Sequence, residues 1–318
     1  MTETDAKPVY IEAEPAPRSV PSARRFMVVG VVIALIAAGF VGRVLLSGGL
    51  AGSVVADWLP WLAGTDVTLY YGDTSTGYLV PVSRTLEGDE ESIDALAASL
   101  LAGPAADTGL VTVVPAGMSV RSVTLEGDVA TIDLAGASLD DALAREAIVQ
   151  SLASWPGVTE VRVMVGGSEI ELRSGTHMLY FYDPSRDMLL AKPASATNAR
   201  ELLEEYLLGP GNPSLDGLPN DVEVLQFESA PGSGLIKLDL RYTDSLRTMA
   251  VSDGDGMRRI LEGLIATLTT RSGTVDFVYL DFEGHATLGL GQCANLLRTV
   301  QPPPEVLNDE RLVRAGDV

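Results

Sequence analysis

The sequence predicts an α+β protein: an N-terminal transmembrane helix, then two tandem small α+β domains, each a mostly antiparallel sheet with two helices on one face. An apolar run near the N-terminus predicts the membrane helix. Two further observations indicate a tandem duplication. The stretches "SLLAGPA" at Ser99–Ala105 and "YLLGPG" at Tyr206–Gly211 end two helical patterns in nearly the same way, and the strand-like segments "ATIDL" and "LIKLDL" recur at the same spacing. Two copies are too few for an extended solenoid, so each copy is predicted to be a domain.

Length and charge narrow the class of protein. The 318 residues have room for about two domains of roughly 150 residues each. Hydrophobic residues make up 46% of the chain and the net charge is −21, with the acidic excess beyond residue 25. Such an acidic surface repels phosphate backbones and anionic headgroups, so we predict no nucleic-acid partner and expect a protein partner instead.

The apolar run extends from Phe26 to Gly42 without a charged or strongly polar residue. Continued past Arg43, which can snorkel, to Leu46, it gives about 21 residues or ~31 Å of helix, the thickness of a bilayer core. A buried core helix is the alternative. The long segment before the run favours an uncleaved anchor over a cleaved signal peptide.

Basic residues set the predicted orientation. Arg18, Arg24 and Arg25 precede the span, and after Arg43 no Lys or Arg occurs before Arg84. By the positive-inside rule the N-terminus is cytoplasmic and the bulk of the chain extracytoplasmic, in a single-pass cell-membrane protein.

Two segments outside the domains have their own predictions. Trp58 and Trp61 lie in a juxtamembrane linker, where they either rest at the membrane surface or pack on the first domain. The C-terminal stretch begins with three prolines and is polar, which predicts a loose tail. The predicted segments are a cytoplasmic tail 1–25, transmembrane helix 26–46, linker 47–65, first domain 66–172, second domain 177–290 and flexible tail 301–318.

Within the first unit, alternating strands are followed by an amphipathic helix. The helix is stopped by Gly103 and Pro104, because glycine can take the left-handed conformation and proline cannot continue a helix. A hairpin, "MSVRSVTL" with "DVATIDL", then a second helix and a last strand complete the unit. The second unit repeats this order, with the insertion "RTMAVSDGDG" before its last helix.

The segments "VTLYYGD", "LLAGP", "VVPAGMSVRSVTLEGDVATIDL" and "PGVTEVRVMVGG" occur in the order found in the GerMN domain of bacterial sporulation and spore-germination proteins. Residues 66–172 resemble this domain closely and residues 177–290 more loosely. The resemblance implies a membrane-attached, extracytoplasmic protein whose relatives resemble ring-building motifs of secretion systems in fold. Those relatives support assembly of the channel complex between forespore and mother cell, or belong to the cell envelope. The family offers no catalytic residues to transfer.

Several small patterns could suggest hidden chemistry. "DGDG" at Asp253–Gly256 spaces carboxylates as a calcium loop does, but Met257 and Arg258 do not fit an EF-hand, which favours a solvated turn. "GLGQCA" at Gly289–Ala294 matches a dinucleotide fingerprint, yet it runs into "QPPP" where a nucleotide domain should continue.

Titratable residues offer little more. Asp281 and Glu283 alternate on a predicted strand and could act on a glycan, although exposed acids on an edge strand are the commoner reason for such a pair. His177 and His285 have no partners at ligand spacing, and Cys293 alone can form neither an internal disulfide nor a cysteine-based metal site. We predict no catalytic, cofactor-binding or metal-binding residues, and no cofactor.

The sequence therefore favours a non-catalytic scaffold or assembly factor of the bacterial cell envelope that supports a sporulation or germination channel complex. Its expected partners are envelope or channel-complex proteins, or further copies of itself in a homo-oligomer or ring. The alternative is a wall-associated module that recruits or regulates peptidoglycan hydrolases. A glycan-cleaving enzyme using Asp281 and Glu283 is the least favoured interpretation.

Overall fold

A computed structural model describes residues 64–87, 92–106, 108–171, 177–229, 232–269, 275–284 and 300–314. Within these ranges the chain forms eleven strands and six helices. The strands are β1 Thr65–Gly72, β2 Leu79–Leu86, β3 Ser119–Glu126, β4 Val129–Ala135, β5 Glu160–Val165, β6 Ser168–Glu169, β7 Met178–Asp183, β8 Met188–Pro193, β9 Val224–Ser229, β10 Leu235–Leu240 and β11 Phe277–Phe282. The helices are α1 Ile93–Ala102, α2 Ala142–Leu152, α3 Ala199–Leu207, α4 Asp244–Ser252, α5 Gly254–Thr269 and α6 Glu310–Arg314.

The strands form three sheets. The first hairpins of the two repeats join in one four-stranded sheet of order β1-β2-β8-β7, called here the shared sheet. The first-repeat sheet has the order β3-β4-β5-β6, and the second-repeat sheet has the order β11-β10-β9. The tandem α+β organisation is confirmed, but the prediction of one sheet for each domain is wrong. The reason lies in burial: every residue of β7 is buried, and strands that are apolar on both faces must be covered on both faces.

Each repeat contains one parallel strand pair. β4 pairs antiparallel with β3 and parallel with β5, while β10 pairs antiparallel with β9 and parallel with β11. The helices α2 and α5 are the crossover connections that such parallel pairs require. Instead of covering one face of a single sheet, α2 contacts both β1 and β5, and α5 contacts both β7 and β11.

The same two helices protect the outer edges of the shared sheet. The Tyr70 amide on β1 donates to Ser151 Oγ of α2 at 3.0 Å, and the Tyr180 amide on β7 donates to Thr267 Oγ1 of α5 at 2.9 Å. Tyr70 and Tyr180 occupy equivalent positions in the two repeats, and their hydroxyls meet at 2.7 Å. The shared sheet therefore has an approximate two-fold symmetry that relates the repeats.

The helices stop where the sequence predicts. Gly103 has φ 84 and Gly209 has φ 82, positive values that glycine adopts without a steric penalty, although the ψ of 178 at Gly103 differs from the predicted left-handed conformation. Pro210, after the second stop, has a further contact: its carbonyl accepts a 2.5 Å hydrogen bond from the Tyr78 hydroxyl of the first repeat. The repeated Gly-Pro thus ends a helix in both copies and, in the second, also contacts the other repeat.

The C-terminal segment differs from its prediction. Residues 300–314, called here the strap, pack onto the sheets instead of forming a loose tail. Gln301 pairs with Val278 of β11 through two backbone hydrogen bonds of 2.7 and 2.9 Å. Asn308 is only 4% exposed, and α6 follows it. Proline and polar residues in a local sequence predict an exposed segment. Here the segment is held in place because it pairs with strands that are distant in the chain.

The contacts by which the two repeats meet across β2 and β8 are called here the joint. Asn308 completes them. β2 and β8 pair at Leu79 and Ala191, and the symmetric position would bring Pro81 opposite Leu189. Because proline has no N–H, this second pairing lacks a donor. Asn308 Nδ2 donates to the carbonyls of Pro81 and Leu189 at 2.7 and 2.8 Å, and its Oδ1 accepts from the Leu189 amide at 2.8 Å.

Among the described residues, no helix is long and apolar enough to cross a membrane. The predicted cytoplasmic tail, the transmembrane helix and the linker as far as residue 63 lie outside those residues. The second-copy insertion, in contrast, is described: it supplies the larger part of the additional helix α4, whose N-cap is the Thr243 side chain, and the first residues of α5.

Candidate contact surfaces

The "DGDG" stretch has a structural role. Asp253 lies between α4 and α5, and its Oδ1 accepts a 2.9 Å hydrogen bond from the Gly256 amide. The "DGDG" stretch is therefore the capped start of α5 and not a solvated turn. In the part of the chain that the structure describes, no three His, Cys, Asp or Glu side chains come together as a metal site.

The carboxylate pair is not arranged as the strand pattern predicts. Asp281 lies on β11, but Glu283 follows the end of that strand with φ 54, so the strand alternation does not carry it to the face that holds Asp281. His177 is buried, just before β7. His285, Cys293 and Gly289–Ala294 lie outside the described residues.

An ion-pair network with two nearly buried carboxylates joins the two repeats. Arg186 donates to both carboxylate oxygens of Asp73 at 2.9 and 3.0 Å and to Asp183 at 2.7 Å. Asp73 directly follows β1 and Asp183 is the last residue of β7, and their side chains are 3% and 4% exposed. Burial alone would raise the pKa of each carboxyl, but hydrogen bonds from Arg186 and neighbouring hydroxyls hold both values below their usual range. These satisfied carboxylates belong to the joint.

Sheet edges are the next candidates for contact. The edge of β1 is bridged by Val111, that of β7 by Asp216 and that of β11 by Gln301. Among the described residues, no strand pairs with the outer edge of β3 or β9. Both strands carry an irregular register, with Arg121 and Leu225 as the extra residues, and such bulges discourage indiscriminate strand pairing.

The remaining candidates are the sheet faces turned away from the helices. In the second-repeat sheet, Ile236, Leu238, Val278 and Leu280 are buried, so the alternate residues form the open face. Strand register places these residues in three rows: Leu235 with Phe277; Glu228, Lys237 and Tyr279; and Gln226, Asp239 and Asp281.

The first-repeat sheet has an equivalent open face of different chemistry. Glu160 and Arg162 on β5 take the places of Phe277 and Tyr279, and their side chains form a 2.7 Å ion pair. One element is common to both faces: the carboxylates of Asp133 and Asp239 accept hydrogen bonds from the Gly167 and Gly284 amides, respectively. Asp281 is a candidate predicted from the sequence, whereas the aromatic residues at every second position before it were not predicted, although "DFVYLDF" contains that signal.

Comparisons with known proteins agree with this architecture. A family model described as "Germane: Sporulation and spore germination" matches residues 68–171 and 178–287. The two matches together span more than half of the chain, so the protein belongs to this family and carries two copies of its domain. The predicted tandem GerMN organisation is confirmed. The family is not a known family of enzymes.

One solved structure has the same tandem fold. The tandem GerMN domains of the sporulation protein GerM from Bacillus subtilis share 17% identity with this chain at a TM-score of 0.54, covering 78% of this chain and 99% of that one. The first GerMN domain of the same protein has 22% identity and a TM-score of 0.28, covering 33% and 85%. At this identity the tandem likeness shows the fold alone. No curated protein sequence matches the chain.

Proposed function

We propose that the protein is a non-catalytic scaffold of the bacterial cell envelope, held at the membrane by residues 26–46 with both repeats outside the cytoplasm. Its contacts are with envelope proteins, and in a sporulating cell with the channel complex between forespore and mother cell. One observation carries the proposal: the shared sheet fixes two domains of a sporulation and germination family in one body, while each repeat keeps a second sheet with an open face.

A rigid pair of domains suits a scaffold because it holds two contact surfaces at a constant separation. When one surface is bound, the second contact becomes intramolecular, and two weak contacts act together. A flexible pair of independent domains would lose part of this advantage to linker entropy.

The test is chemical cross-linking of the full-length chain in its native cells, growing and starved, with mass spectrometry of the products. We expect multi-subunit channel or secretion components, recovered mainly on starvation. Recovery of amidases and wall-synthesis proteins during growth would replace this function with recruitment of peptidoglycan hydrolases. Recovery of no envelope protein under either condition would contradict both.

A further inference from the structure

We propose that the open face of the second-repeat sheet docks a basic segment of a partner protein, with an arginine or lysine lying over Phe277 and Tyr279 and pairing with Asp281. The inference rests on the proposed scaffold function and assigns one of its contacts to a surface. It concerns the second repeat alone.

The first support is the placement of the aromatic side chains. Phe277 is 43% exposed, a large exposure for a phenyl ring on a sheet, and Tyr279 and Asp281 follow it at every second position of β11. Alternate residues of a strand are about 6.6 Å apart on one face. A long cationic side chain lying along β11 can therefore cover a ring and reach the carboxylate at the same time.

The second support is a cation that already occupies part of this face. The Lys237 ammonium lies 5.9 Å from the centroid of the Tyr279 ring, so the ring already interacts favourably with positive charge. Lys237 lies on β10 opposite Tyr279. The Phe277 ring lies one row away, and Lys237 does not cover it.

The third support is charge. Glu228, Asp239 and Asp281 lie on the face with Lys237 as its basic residue, so the face is net acidic. The whole chain carries a net charge of −21, which attracts a basic partner over longer range. Tyrosine, present here as Tyr279, is among the residue types enriched in binding hot spots. An anionic polymer is disfavoured by the same charges.

The first repeat provides a matched control within the chain. At the positions of Phe277 and Tyr279 it has Glu160 and Arg162, which pair with one another at 2.7 Å. At these positions that face has no aromatic ring for an incoming cation. The Glu160 carboxylate is already paired with Arg162.

The experiment uses a photoreactive benzoyl-phenylalanine in the full-length chain in native cells, at position 277 in one variant and at position 160 in the other. We expect position 277 to cross-link one protein at several-fold higher yield than position 160, through a segment with at least two Lys or Arg residues. Adding Asp281→Asn should lower the yield at position 277 about fivefold, because one charge-assisted contact contributes on the order of 1 kcal/mol.

Three results would overturn the inference: equal yields at the two positions, a cross-linked segment without basic residues, or products that contain glycan or a second copy of this chain. The general cross-linking test distinguishes failure of the docking surface from failure of the scaffold function. If it recovers envelope proteins while position 277 captures none, the docking surface is wrong and the scaffold function stands. If it recovers none, the scaffold function itself has failed.

Discussion

The two repeats are most alike where they touch one another and least alike where they face outward. At the joint, Tyr70 matches Tyr180 and Asp73 matches Asp183, and a hydroxyl from α2 or α5 binds the edge strand in each copy. On the outward sheets, an ion pair in one copy takes the place of two aromatic rings in the other. At these positions the repeats share the residues that hold them together and differ in the residues exposed to partners.

The largest expected effect in this comparison comes from Arg186. Arg186→Met leaves the carboxylates of Asp73 and Asp183 buried without their cation, which we expect to lower the free energy of unfolding by about 3 kcal/mol. Urea unfolding of the full-length chain, followed by circular dichroism, measures the change. The matched control is Arg241→Met, whose partner Glu223 is exposed, with an expected change below about 1 kcal/mol. Equal losses in the two variants would contradict the role given to the joint.

Asn308 should have the second-largest effect. Asn308→Ala removes the side chain that binds Pro81 and Leu189, leaving their buried carbonyls without it, so we expect a loss of about 2 kcal/mol. Hydrogen exchange should also rise in both β2 and β8. Asn212→Ala, at an exposed turn, is the control and should change stability by less than about 1 kcal/mol. Faster exchange in one repeat only would show that the strap does not couple them.

The stabilisation that Asp73 and Asp183 provide should depend on pH. The folded-state pKa values of Asp73 and Asp183 lie below the value of about 3.9 for an unfolded chain, so their stabilisation is present above that value. It is lost as the pH falls through the folded values. Unfolding of the wild type and Arg186→Met should therefore differ most at pH 7, and the difference should shrink steadily as the pH falls below about 4, with part of it still present near pH 2. A gap that stays constant with pH would mean that Arg186 stabilises the joint by packing alone.

The smallest effect is expected at the paired tyrosines. Tyr70→Phe removes the hydroxyl that meets the Tyr180 hydroxyl, at an expected cost of about 1 kcal/mol. Tyr279→Phe, on the open face, is the control and should stay within about 0.5 kcal/mol of the wild type. If thermal unfolding places the two variants together, the hydroxyl contact does not contribute to the joint.

The elements of each repeat could be predicted from local sequence, but the way the repeats combine could not. Helical spacing and turn residues correctly indicated α1, α3 and the β3-β4 hairpin. The pairing of β2 with β8 joins residues far apart in the chain, and no local pattern encodes which strand is the neighbour. The start of helix α4 could have been predicted from Thr243, a residue type favoured at N-caps. The segment was interpreted only as an insertion.

The same limit applies to the candidate surface. Alternation along β11 predicts that Phe277, Tyr279 and Asp281 share a face, but not whether that face meets helices or solvent. Only the burial of Val278 and Leu280 beneath α5 decides this. The local sequence of the strap is rich in prolines and acidic residues, as in a polar tail. Nothing in that local pattern indicates that Asn308 is buried.

The proline in β2 also affects the order in which the contacts between the two repeats can form during synthesis. Asn308 is separated from Pro81 by 227 residues and from Leu189 by 119, and it follows every described strand in the chain. Since synthesis delivers the N-terminal part first, both hairpins emerge from the ribosome before the residue that seals them together. The repeats can already pair through Leu79 and Ala191 and through Arg186 and Asp73, and a chain that stops before residue 308 lacks only the hydrogen bonds by which Asn308 joins Pro81 and Leu189.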